Sequence, residues 1–192
     1  MHVIGGYGAG QVARAYHHVF DAARAAWFDA APIPRGANHI GVAAQDGVIH
    51  AMGGFVEQNR IATPDCYAYV VADDRWHAVR PLSRGSRGAI SVVAANGLIH
   101  AIGGRDTRSV DWHEAYDPRT DTWHVGGEGT RRVFGQTEAY DPLSDSWEAY
   151  ATMLTPRHGM GTAVIADAIH VAGGGPMNGG AFQTSIHEVL IA

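Results

Sequence analysis

The chain has 192 residues, of which 46% are hydrophobic, and a net charge of −5 with histidines neutral. That apolar content can bury the core of one domain, and the acidic balance leaves no basic footprint for nucleic acid. One cysteine, Cys66, excludes an internal disulfide framework, and no run approaches the roughly 18 apolar residues of a membrane-spanning helix.

The first residues, Met1 to Gly8, lack the basic start and long apolar stretch of a signal peptide. The default expectation is a soluble, cytoplasmic protein, unless the natural start lies upstream and hides such a signal. Glycine is abundant at 25 residues and charged residues make up only 17%. Many tight turns between short strands produce this composition.

The elements follow one repeated pattern. His2-Val-Ile-Gly5-Gly6 opens the chain as the end of a strand, and Phe20-Asp21 leads to Trp27 seven residues after Phe20. Between them, Val12, Tyr16, Val19 and Ala23 form an apolar stripe at helical spacing, so Gln11 to Trp27 read alone is a helix. The register of the repeat favours strands here, because it gives Phe20 and Trp27 the places that aromatic residues hold in later units. Ile40 to Ala44, the turn Asp46-Gly47, Val48 to Met52, Cys66 to Val71 and Trp76 to Val79 make a second unit.

The third unit is the clearest. Ala89 to Ala95 is rich in β-branched residues and reads as a strand. Asn96-Gly97 is a two-residue hairpin signal, since a type I′ turn needs positive φ at both central positions. Leu98 to Ile102, Val110 to Tyr116 and a strand starting at Thr122-Trp123 complete four antiparallel strands. Tyr140-Asp141-Pro142 to Trp147 repeats only the outer half of this order. Gly161 to Ile165, Ala168 to Ala172 and Ser185 to Leu190 begin a last unit that stops without a tryptophan strand. A period near 48 residues fixes the architecture before any site is considered.

The ordered pattern of Arg, then His before Gly-Gly, then Glu-x-Tyr-Asp-Pro and Trp resembles the Kelch repeat. Arg87 to His100 and Arg157 to His170 are both thirteen apart, as in that family. The resemblance implies an all-β, Kelch-type β-propeller of four-stranded antiparallel blades, five or six when complete. It divides one domain, 1–192, into a partial blade 1–30, blades 31–80 and 81–125, and partial blades 126–150 and 151–192. The first, fourth and last blades are incomplete. The family usually has tyrosine where this chain has His2, His50, His100 and His170, and Ala37 replaces an arginine in the second unit. Only two residues separate Trp123 from Gly126-Gly127, where about 25 are expected, so the sequence lacks the two innermost strands of the fourth blade. We expect residues to be missing there, and a gap between Val125 and Gly126 would show it.

The repeat explains most residues that look functional. Histidines at the tyrosine position pack between sheets and are spaced by whole blades, so no metal and no other cofactor is expected. Propellers similar to galactose oxidase need a Cys–Tyr cross-link. Cys66 and Tyr67 are adjacent in one strand and point to opposite faces. The iron-holding Glu-x3-Asp-x3-His run of plant specifier proteins is absent. Glu114, Glu138 and Glu188 recur two residues before the tyrosine position, as the repeat itself requires.

What remains is the arginine set and the irregular loops. Arg35, Arg87 and Arg157 stand where the chain enters the innermost strand of a blade. In Kelch domains that region lies at a mouth of the central channel, and guanidinium forks suit carboxylates. The structural alternative is a hydrogen bond from each guanidinium to loop carbonyls. Asn59, Arg105 and Arg131 sit in loops after glycine pairs, where recognition on a rigid frame normally resides. The expected function is therefore binding of a protein or peptide ligand, an acidic one included, by Arg35, Arg87, Arg157, Asn59, Arg105 and Arg131. No nucleic acid or membrane partner is expected, and the incomplete blades favour self-association. The alternative is an enzyme acting on a sugar-like molecule in the channel, in the manner of Kelch-like epimerases.

Overall fold

A computed structural model describes residues 1–58, 60–126, 137–141, 146–157, 160–165, 168–176 and 184–191. The chain divides into two compact units, Met1–Thr130 and Arg131–Ala192. Short antiparallel strands dominate both, and among the described residues the only helical pieces are two single 3-10 turns, Ala9–Gln11 and Val71–Asp73. No helix among those residues is long and apolar enough to cross a membrane.

The first unit contains three consecutive sheets. β1 (His2–Ile4), β2 (His17–Asp21) and β3 (Ala26–Asp29) form a three-stranded sheet in chain order. The stretch from Gln11 to Trp27 is thus not one helix: it holds β2, the turn 22–25 and the start of β3, so Phe20 and Trp27 lie in strands as the repeat register requires. Cross-strand packing of Phe20 on Trp27, with ring centroids 5.2 Å apart, outweighs local helix propensity. β4 (Gly41–Gln45) and β5 (Val48–Met52) begin the second sheet, a small hairpin of β6 (Phe55–Glu57) and β7 (Ile61–Ala62) projects beyond it, and β8 (Cys66–Val70) and β9 (Arg75–Val79) complete it in the order β4-β5-β8-β9. The third sheet runs β10 (Ser91–Ala95), β11 (Leu98–Ile102), β12 (His113–Asp117) and β13 (Thr122–Gly126). The strand β13 passes through Val125–Gly126 without a break.

Turn chemistry follows the sequence. Asp46 and Gly47 have φ of 52° and 78°, and Asn96 and Gly97 have 50° and 78°, the double positive φ of a type I′ hairpin. Gly5-Gly6, Gly53-Gly54, Gly103-Gly104 and Gly173-Gly174 leave their strands through positive φ. At Gly53 (φ +61°) a Cβ would also fall well inside van der Waals distance of the Arg87 carbonyl, so glycine is required twice over.

The sheets stack through one recurring contact. Met52, Cys66, Leu82, Ile90, Ile99, Ala101 and Tyr116 form a continuous core of the second and third sheets. Burial of such side chains supplies about 1.5–3 kcal/mol each. Above this core, the Tyr69 hydroxyl donates to Asp74 Oδ1 at 2.7 Å, and the Ala31 amide of the preceding sheet donates to the same oxygen at 2.7 Å. The third sheet repeats the arrangement: the Tyr116 hydroxyl and the Arg80 amide both reach Asp121 Oδ1, at 2.9 and 2.8 Å. Trp76 adds a bond from its indole nitrogen to the Ala31 carbonyl at 2.8 Å.

In the second unit, taken by itself, the described residues hold five strands. β14 (Thr137–Asp141) and β15 (Ser146–Tyr150) form a two-stranded sheet. β16 (Gly161–Ile165), β17 (Ala168–Ala172) and β18 (His187–Ile191) form a three-stranded one.

Candidate functional site

Three of the four repeated histidines pair with a second histidine in their own sheets. His2 Nδ1 meets His17 Nε2 at 2.9 Å, His100 Nδ1 meets His113 Nε2 at 2.8 Å, and His170 Nδ1 meets His187 Nε2 at 2.9 Å. Each pair is a diagonal neighbour across adjacent antiparallel strands, since Ile4 opposes His17, Ile102 opposes His113 and Ala172 opposes His187. In the second sheet Cys66 takes the diagonal position, opposite Met52. These rings are packing elements: His17 lies edge-on to Tyr69 at 4.5 Å, and His50 lies edge-on to Tyr116 at 5.9 Å. Burial lowers the pKa of His2, His17, His50 and His100 below the ordinary imidazole value. Among the described residues, no group of three or more His, Cys, Asp or Glu is placed to hold a metal ion. Burial pushes the Cys66 thiol up to about 12, which removes the thiolate that a nucleophile needs.

The arginines at the strand entrances divide into two kinds. Arg87 is wholly buried and pairs with the equally buried Glu114, while its Nε donates to the Gly103 carbonyl at 2.9 Å. Glu114 Oε1 accepts from the Ser83 amide at 2.9 Å, the Ser83 hydroxyl at 2.6 Å and the Arg84 amide at 3.0 Å. The pair therefore fastens the loop entering the third sheet to a central strand of that sheet. Arg157 repeats it in the second unit, with Nη1 3.1 Å from Glu188 Oε1 and Nε bonded to the Gly173 carbonyl at 2.8 Å. The Thr155 amide donates to Glu188 at 3.0 Å. The second sheet lacks both halves, with Ala37 at the arginine position and Tyr67 at the glutamate position. Arg35 is of the other kind: it is exposed and pairs with Asp65 at 3.1 Å on the surface.

A contiguous surface forms where the chain leaves the glycine pairs. Tyr7, Phe55 and Arg105 each directly follow such a pair. The Arg105 guanidinium lies 4.5 Å over the Phe55 ring. His39 packs edge-on to Phe55 at 5.9 Å and to Tyr7 at 6.1 Å. The line Tyr7–His39–Phe55–Arg105 thus crosses all three sheets of the first unit. Phe55 is the buried anchor, Tyr7 and His39 are exposed, and Arg105 is half-buried. His39 holds a left-handed φ of 52°, and its carbonyl accepts the Ala89 amide of the next sheet at 2.9 Å. Beside this line, Arg84 and Arg87 lie over the Trp112 ring at 5.3 and 5.6 Å.

Of the residues expected from sequence to bind, Arg105 is on this line, Arg35 is on the surface, and Arg87 and Arg157 are in buried ion pairs. Asn59 and Arg131 lie outside the described residues. Sequence reasoning did not single out Tyr7, His39, Phe55 or Trp112. The position directly after each glycine pair was the signal for Tyr7 and Phe55. His39 and Trp112 have none in the repeat.

Comparison with known proteins agrees with the repeat geometry. Residues 86–130 match the Kelch motif. The chain is 36% identical to Kelch-like protein 26 of Mus musculus over 104 residues, covering 52% of this chain and 17% of that protein. It is 31% identical over 87 residues to an F-box/kelch-repeat protein of Arabidopsis thaliana, covering 44% of this chain and 22% of the relative. The matched stretches thus span a quarter or less of those relatives' own length.

Proposed function

We propose that this Kelch-repeat chain is a binding scaffold for a protein or peptide ligand carrying acidic groups. In this reading residues 1–192 form one propeller domain, of five or six blades when complete. The observation that carries it is the line Tyr7–His39–Phe55–Arg105, an aromatic and cationic surface set across three sheets. Aromatic faces supply area at little entropic cost, and a guanidinium held over a ring is already oriented for a carboxylate. Names of the relatives support a Kelch scaffold without naming a ligand.

Within the proposed site, Arg105 and Arg35 are the cations that a ligand reaches first. Arg87 acts mainly by holding the loop that enters the third sheet, and Arg157 by holding the corresponding loop of its own unit, because a ligand carboxylate would have to displace Glu114 or Glu188. Asn59 and Arg131, outside the described residues, remain candidates by their places in the sequence alone.

The test is fluorescence anisotropy with labelled ten-residue peptides graded from strongly acidic to strongly basic. Preference for acidic peptides that weakens at least tenfold in Arg105→Ala, with the urea midpoint unchanged, supports the reading. Equal binding of acidic and basic peptides, or an Arg105→Ala protein that binds as the parent does, overturns it.

A further inference from the structure

The second sheet departs from the histidine pairing of the others, and both departures bring sulfur. The other sheets hold a histidine, an apolar residue and a second histidine at corresponding positions: His2, Ile4 and His17; His100, Ile102 and His113; His170, Ala172 and His187. The second sheet holds His50, Met52 and Cys66 there. In the others, Nδ1 of the first histidine is bonded to Nε2 of the second at 2.8–2.9 Å. His50 Nδ1 is buried and has no hydrogen-bond partner, in a residue 4% exposed. A buried polar atom left in that state calls for a specific explanation.

Strand register turns the three side chains to one face. Met52 stands directly opposite Cys66, and His50 stands opposite Ala68, one diagonal step away. Opposed residues on one face have Cβ atoms about 4.5–5.5 Å apart, and diagonal ones about 7–8 Å, within reach of long side chains. The face is closed over by the third sheet. Met52 and Cys66 share a core with Ile99, Ala101 and Tyr116, and the His50 ring lies edge-on to Tyr116 at 5.9 Å. The Cys66 thiol donates to the Pro64 carbonyl at 3.5 Å, a weak bond that a stronger partner can replace.

We infer that His50 Nδ1, Met52 Sδ and Cys66 Sγ bind one copper(I) ion between the second and third sheets. The donors select the metal. Thiolate and thioether are soft ligands and suit Cu(I), whereas magnesium and calcium take oxygen. A closed zinc site takes four ligands, and a blue-copper Cu(II) centre takes two histidines beside its cysteine. This face offers one histidine, one thioether and one thiol. Binding releases the thiol proton: Cu(I) and Cys66–SH give Cu(I)–S–Cys66 and a proton that passes to solvent, with no electron transferred. Ion and thiolate cancel, so a neutral complex occupies the apolar core, while a divalent ion would bury a net positive charge. The buried charges that act on Cys66, those of Glu114 and Arg87, are themselves a pair. Without metal the thiol keeps its proton, and the face packs as an uncharged core.

The experiment is anaerobic titration of the whole chain with Cu(I) presented as its bicinchoninate complex, whose colour fades as the protein takes the ion. Samples equilibrate overnight, because the two sheets must open to admit it. The parent is expected to take one Cu(I) per chain and then to unfold at higher urea. Cys66→Ser should weaken that uptake at least hundredfold, and Met52→Leu and His50→Gln at least tenfold each. Cys66→Ala serves if Cys66→Ser misfolds by circular dichroism. His187→Asn, which removes an exposed histidine elsewhere, should bind as the parent does. Three results would each overturn the inference. One is a parent that takes no Cu(I), either overnight or on refolding from urea with the complex present. Another is a Cys66→Ser or Met52→Leu protein that binds as tightly as the parent. The third is Zn(II) raising the parent's urea midpoint as far as Cu(I) does.

Discussion

The Arg87 guanidinium and the Glu114 carboxylate are buried together in the third sheet, with side chains 1% and 0% exposed. Glu114 also takes three donors from Ser83 and Arg84. Removing one partner leaves the other charged and out of water. Arg87→Met or Glu114→Gln should therefore lower stability by about 3–5 kcal/mol. Replacing both, as the second sheet does with Ala37 and Tyr67, should cost less than the sum of the single changes. Urea unfolding of the four proteins in a double-mutant cycle measures this, and additive losses would contradict it.

The tyrosine clamp makes a graded prediction. Tyr69→Phe keeps the ring and deletes one donor to Asp74, so it should cost about 1 kcal/mol. Asp74→Ala strands both the Tyr69 hydroxyl and the Ala31 amide, so it should lower the unfolding midpoint further than Tyr69→Phe. An Asp74→Ala protein as stable as Tyr69→Phe would show that the amide bond contributes nothing.

Acid should weaken the fold through its histidines. Burial is the leading cause that depresses the pKa of His2, His17, His50 and His100 from 6.5 in the folded chain. The unfolded chain then takes up protons first as pH falls. Stability from keeping these rings neutral is fully present above pH ~6.5 and is lost as pH drops below it through the folded values. Urea midpoints should be level between pH 8 and 7 and fall steadily from pH ~6.5 to 5. His50→Gln should flatten part of that fall, since it removes one of the buried rings. A midpoint that rises on acidification would reverse the sign and refute the account.

Cys66 should be silent toward thiol reagents in the folded protein. It is 2% exposed, with its thiol pushed up to about 12. A chromogenic disulfide reagent at pH 8 should report no thiol until urea is added, then one per chain. Rapid reaction in native buffer would place Cys66 outside the core.

The glycine after each strand admits a matched pair of substitutions. Gly53→Ala forces a Cβ onto the Arg87 carbonyl at φ +61°, whereas Gly85→Ala at φ +111° meets open space. Both carry backbone strain, but only the first also disturbs packing, so it should lower the thermal midpoint more. Equal shifts would mean that dihedral strain alone sets the cost.

Much of this arrangement was written in the sequence, and the reasons for what was not are physical. Asn96-Gly97 and Asp46-Gly47 announced their hairpins because only a few residues accept positive φ at both positions. The stretch from Val12 to Ala23 was ambiguous locally and was resolved only by the repeat register of Phe20 and Trp27. Arg87 was visible as a repeated residue, but its choice of Glu114 depends on which strand lies beside which, and spacing along the chain does not encode that. Partners of Asp74 and Asp121 were harder still, since half of each clamp is a backbone amide with no side-chain signature. The Tyr7–His39–Phe55–Arg105 line draws one member from each of four separate segments, so it exists only after the sheets have stacked.

That anonymous amide has a consequence for how such a chain can vary. Every component of the clamp sits on the outer two strands of a repeat: the tyrosine on the third, the aspartate in the turn that follows it, and the amide just beyond the fourth. Ala31 and Arg80 hold the donor position with unrelated side chains, so any residue with an N–H serves and proline is the one barred. A repeat can therefore shed its inner pair and keep its fastening to the repeat before it. In the sequence the stretch following Trp123 repeats the same spacing, with Tyr140 and, five residues on, Asp145. The outer hairpin and the residue that follows it carry every group the joint uses.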